Sequence, residues 1–72
     1  MNKYPRVGSI MFQLNEKGEA VKRVKVLKED KDVGGIRVVD FIWLKHQLSL
    51  RDVQDTEIDE RAYLVSLSNL SK

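Results

Sequence analysis

His46 and Ser49 are the first residues to weigh, because an imidazole near a hydroxyl is the shortest route to a base and a nucleophile. Nucleophilic catalysis needs more than closeness in sequence, since the base must be oriented and the developing charge held. His46 therefore reads as a surface or half-buried structural residue. It is the sole histidine, and the chain has no cysteine, so a transition-metal site around it lacks partner ligands. Asp52, Asp55, Glu57, Asp59 and Glu60 offer oxygen ligands of the kind Mg²⁺ or Ca²⁺ prefers, but no glycine-centred calcium loop accompanies them. They read as an exposed acidic loop, or as a surface complementary to a basic partner. Gly8 and the Gly34–Gly35 pair are not followed by the lysine and hydroxyl residue of a phosphate-cradling loop. No cofactor and no metal are expected. A chain of 72 residues with so few reactive groups is not expected to be an enzyme.

The best candidate contact surface is the basic run Lys22-Arg23-Val24-Lys25-Val26-Leu27-Lys28. A basic strand beside a glycine turn could follow a phosphate backbone. Against this, Glu29, Asp30 and Asp32 follow at once, and no aromatic residue is interleaved to stack on bases. The plainer reading is a solvated hairpin face whose lysines discourage edge-to-edge pairing. Trp43, with Phe41, reads as core, because a small domain needs its bulkiest side chains inside. The alternative for Trp43 is an aromatic anchor at a protein interface. Leu48–Val53 has the form of the opening of a helix-turn-helix. Gln54, the missing glycine near Glu57 and the acidic continuation Asp55–Glu60 all depart from that pattern.

These side chains must be positioned by short elements. Ile10, Phe12 and Leu14 alternate with small or polar residues, as a strand with one buried face requires. Asn15-Glu16-Lys17-Gly18 supplies a turn, with Gly18 free to take positive φ, and the chain returns through Val24 and Val26. The hairpin is read as strands over 6–14 and 19–28 after a loose end at 1–5, with a polar reversal at 29–35. Ile36–Val39 is β-branched and reads as a third strand. Asp40 is placed to cap a helix carrying Phe41, Leu44 and Leu48 on one face. Ser49-Leu50-Arg51-Asp52 resembles a capping box that opens a short turn through Val53. Tyr63, Val65 and Leu67 alternate as a final strand, with a terminal helix over Ile58–Asn69 as the competing reading.

The expected fold is a single α+β domain over 1–72. Its sheet is small and antiparallel, made of the N-terminal hairpin, a third strand and a C-terminal strand near 62–68, with one short helix at 40–49. The alternative is a small all-β barrel in which 36–44 form one strand and 50–54 a single helical turn. Expected core residues are Ile10, Phe12, Leu14, Val24, Val26, Val38, Leu44 and Val65.

Composition agrees with a folded domain, at 42% hydrophobic and 33% charged. No run approaches the ~18 apolar residues of a membrane span, and residues 1–6 do not lead into a secretory signal. The net charge of +2 is uneven, with +4 over residues 1–31 and −2 over 32–72. A core this small, with neither disulfide nor metal, gains from burial against a partner. The expectation is a small cytoplasmic binding or regulatory protein that acts through a protein–protein surface. Inhibitors and accessory factors of bacterial or viral origin often have this size. A protein partner and a homodimer are expected. The alternative is nucleic-acid binding through the basic hairpin. Lys22, Arg23, Lys25, Lys28 and Trp43 are the candidate contact residues.

Overall fold

The computed structural model describes residues 5–72, so all but Pro5 of the loose end read over 1–5 lies outside it. The first strand, β1, is Ile10–Leu14, shorter than the expected 6–14 because Val7 and Gly8 form a turn ahead of it. Asn15 builds the hairpin: its Oδ1 accepts the Lys17 and Glu19 amides at 2.9 and 3.0 Å, and its carbonyl accepts the Gly18 amide at 3.0 Å. Gly18 closes the turn at φ +82°, a region open to glycine. The return strand β2 is long, Ala20–Asp30, and after a short reversal β3 runs Gly35–Asp40.

At Asp40 the chain passes from strand to helix, where the sequence places the change. The Asp40 carboxylate accepts the Ile42 and Trp43 amides at 2.9 and 3.2 Å, an N-cap for α1, Phe41–Leu50. A second helix, α2, covers Asp55–Arg61, where an acidic loop was expected. It has no apolar stripe for sequence periodicity to detect. Asp55 and Glu57 lie in its first turn and Arg61 in its last, matching the helix dipole, and Glu57 is held by Arg51. The turn expected to start at Ser49 does not form; α1 runs through Leu50, and Arg51 is extended. The last segment is β4 (Tyr63–Val65), a 3₁₀ turn (Leu67–Asn69) and β5 (Leu70–Ser71), instead of one strand or a terminal helix.

The strands form one antiparallel sheet in the order β4-β3-β2-β1-β5, so an α+β domain is observed, with two helices instead of one. The two ends of the sheet are joined by only the few residues between Val65 and Leu70. Three of these rise about 2 Å each in the 3₁₀ turn, so the link spans under about 15 Å. The edges of a flat five-stranded sheet would lie about 19 Å apart. The sheet therefore curls, and residues from both edges meet on its concave face. The barrel alternative is corrected: β4 and β5 are not paired, and the strand over 36–44 breaks at Asp40.

The inner, concave face carries Met11, Val24, Val26, Ile36, Val38 and Leu70, flanked by Tyr63, Val65 and Leu67. Each large aliphatic side chain fully buried there contributes roughly 1.5–3 kcal/mol. Val39 and Leu44 are buried outside this cluster, where α1 meets β2 and β3 on the outer face. Ile10 and Phe12, expected in the core, lie at the surface. A bulge explains the reversal. Gln13 pairs with Lys22 but Leu14 with Ala20, leaving Val21 without a partner. Beyond that extra residue Met11 faces Val24, and Ile10 and Phe12 turn outward.

Candidate interaction surface

The outer face of the β1–β2 hairpin brings apolar and basic side chains into register. Phe12 is paired across the strands with Arg23, and Ile10 with Lys25. Phe12 is 42% exposed and Ile10 38%, and Leu14 continues the row along β1. The Arg23 guanidinium lies 5.4 Å from the centroid of the Phe41 ring at the start of α1, a cation–π contact. Lys28 is paired with Arg37 farther along the same face, past a second bulge that leaves Leu27 unpaired.

The candidate residues separate accordingly. Arg23, Lys25 and Lys28 share the outer face, and none forms an ion pair among the described residues. Lys22 points to the other face, 3.9 Å from Asp40 and 5.8 Å from the Tyr63 ring centroid. It belongs to a polar cluster at the mouth of the core. There the Tyr63 hydroxyl donates to Gln13 Oε1 at 2.5 Å, tying β4 to β1. Burial, with the Asp40 carboxylate nearby, holds the Tyr63 phenol above its usual pKa. Trp43 is half-buried between the helices, neither fully core nor on the hairpin face. The Arg61 guanidinium stacks 4.5 Å from its ring centroid, and Gln47, Arg51 and Glu57 line the same groove.

Three ion pairs form among the described residues, through Lys22, Arg37 and Arg51. Arg37 donates to Asp30 at 3.1 Å and holds that carboxyl below its usual range. Arg51 grips Glu57 with two hydrogen bonds, at 2.9 and 2.5 Å, and lowers its pKa in the same way. Glu57 is thereby committed to the helix–helix contact, and among the described residues no acidic, histidine or cysteine side chains converge as a metal site. His46 is exposed, and the Ser49 hydroxyl donates to its backbone carbonyl at 2.7 Å, not to the ring. The two are not arranged as base and nucleophile.

Ile10 and Phe12, at the surface, and half-buried Phe41 are the residues of this face that sequence reasoning missed. Their alternation and size marked them as core, and counting back from the turn without a bulge would set Ile10 opposite Val24. The interleaved aromatic that the basic run lacks in sequence is supplied across the strands by Phe12. Among the described residues no helix is long and apolar enough to cross a membrane. Compared with known proteins, the chain matches no family model, no curated protein and no solved structure.

Proposed function

We propose that this chain is a small non-catalytic binding protein, an inhibitor or accessory factor, that docks a protein partner on the outer face of its β1–β2 hairpin. The observation that carries this reading is the pairing of Phe12 with Arg23 and Ile10 with Lys25, exposed apolar side chains set directly against unpaired cations. Aromatic and arginine side chains dominate the energetics of protein interfaces. The sheet does not need these residues for its own core, which the inner face completes. A cytoplasmic setting suits a chain without cysteine.

The test is capture from a host lysate with the tagged chain and with Phe12→Ser, both before and after nuclease treatment. A stoichiometric, nuclease-resistant protein that is lost with Phe12→Ser is the expected result. Equal recovery by both proteins would remove the hairpin face from the reading.

Nucleic-acid binding is the second reading, favoured by the same register, because Phe12 is set opposite Arg23 and beside Lys25 on the outer face. It requires nuclease-sensitive capture. Self-association is compatible with the docking face, since Ile42, Leu48 and Leu50 on α1 are exposed as well. Sedimentation equilibrium at micromolar concentration measures it.

A further inference from the structure

Resting on that reading of the hairpin face, we propose that its partner presents an extended acidic segment, in which apolar side chains alternate with carboxylates. Ile10, Phe12 and Leu14 stand two residues apart on β1, so their side chains repeat about every 6.8 Å. An extended segment laid along this row offers its own alternate side chains at the same spacing. Laid over the seam between β1 and β2, it directs one row of side chains toward Ile10, Phe12 and Leu14 and the opposite row toward Arg23 and Lys25.

The charge on β2 selects the partner. Arg23, Lys25 and Lys28 form no ion pair among the described residues, a property they share with Arg6, Lys17, Lys31, Lys45, Arg61 and Lys72; Arg23 and Lys25 are set apart by their cross-strand pairing with Phe12 and Ile10. Arg23 is held over the Phe41 ring and makes no side-chain hydrogen bond among the described residues, so its guanidinium edge is available for a carboxylate. Carboxylates on the partner therefore find Arg23 and Lys25, neither in an ion pair, beside the apolar row, with Lys28 farther along the same face.

The patch is also bounded, which favours a short acidic segment over a nucleic acid. Glu16 and Glu19 stand at the hairpin turn, and Asp59 of α2 borders Leu27, Lys28 and Arg37 at the other end. A nucleic acid carries charge at every phosphate and would run past these acids. A short segment whose two or three carboxylates lie over Arg23 and Lys25 ends before Asp59.

Fluorescence anisotropy on the full chain tests this with four labelled probes. These are a heptapeptide in which three Glu alternate with Phe, Leu and Val, its Lys-for-Glu counterpart, an acidic peptide without apolar residues, and a single-stranded oligouridine. The acidic apolar peptide is expected to bind best. Phe12→Ser and Arg23→Glu are each expected to weaken it by about tenfold or more. Arg23→Glu with Lys25→Glu should transfer preference to the lysine peptide. Circular dichroism checks that each variant keeps the native sheet, and Lys25→Glu alone serves if one does not.

Equal binding of the acidic and lysine peptides, both lost with Phe12→Ser, would overturn the acidic partner and leave the docking face standing. Peptide binding indifferent to Phe12→Ser would overturn both. Tighter binding of oligouridine, or no binding of the acidic apolar peptide at millimolar concentration, would overturn the acidic segment. So would self-association abolished by these same variants, since the occupant would then be a second copy.

Discussion

The two faces of one sheet are finished in opposite ways. On the concave face, Val24, Val26, Ile36 and Val38 are between 0% and 1% exposed, and both sheet edges converge on them. On the outer face, the buried apolar side chains among the described residues are Val39 and, on α1 itself, Leu44, and the β1 half is left open. The helical excursion from Phe41 to Arg61 is held differently from the core. It depends on the Asp40 cap, the Arg51–Glu57 ion pair and the Arg61–Trp43 stack, and α2 buries no residue fully. Hydrophobic burial thus stabilises the concave face, and local polar contacts secure much of the outer one. Substitutions should separate the two.

The largest expected effect is on the concave face. Ile36→Ala removes a fully buried side chain from the inner face of β3 and should cost about 4 kcal/mol in denaturant unfolding. Roughly 4–11 kcal/mol of total stability is typical for a chain of this length, so that variant should be close to unfolded. Leu44→Ala should cost less, about 2 kcal/mol, because α1, which carries it, can settle onto the sheet. Hydrogen exchange should show that loss concentrated in residues 41–61. Protection falling equally in β2 and β3 would mean that the faces unfold as one unit.

Asp40→Ala leaves the first amides of α1 without their acceptor and should cost about 1 kcal/mol. Far-ultraviolet circular dichroism with thermal melts measures it, and Asp40→Asn should recover much of the loss.

Acid titration should reach the helices before the core. The folded-state pKa of Glu57 lies below its ordinary value because Arg51 hydrogen-bonds the carboxylate, and Arg37 acts on Asp30 in the same way. The stabilisation is present above the ordinary carboxylate range and is lost as pH falls through the lowered values. Below about pH 4, NMR shifts of 51–61 and of the Asp30 end of β2 should move toward coil values while those of Val24 and Val26 persist. Arg51→Ala should remove most of the pH-dependent step in 51–61.

The smallest effect on stability belongs to the docking face. Phe12→Ser should change unfolding free energy by no more than about 0.5 kcal/mol, as for other surface positions. A loss comparable to that of Leu44→Ala would show that Phe12 supports the fold, and would weaken its assignment to a partner.

Much of the architecture was legible in local chemistry. Asn15 and Gly18 specify the turn, and the β-branched run at 36–39 specifies a central strand. Asp40 followed by apolar spacing specifies the helix. Helix α2 was not legible, because an acidic heptad with Ile58 as its lone aliphatic side chain carries no amphipathic signal. Its partner Arg51 becomes a neighbour only after the chain has turned. The split of Tyr63–Ser71 into two edge strands depends on the curl of the whole sheet, which local alternation does not encode.

The candidate site shows the same division most sharply. The sequence by itself determined that residues 10–14 form a strand with alternating faces, and that a basic strand returns beside it. It did not determine which face looks inward. A strand has a period of two, so one extra residue in its partner exchanges the faces completely. The unpaired Val21 is that residue, and it buries Met11 while exposing Ile10 and Phe12. Only the tertiary structure decides this, because the faces are fixed by Val24 and Val26 packing against Val38 and the far edge of the curled sheet.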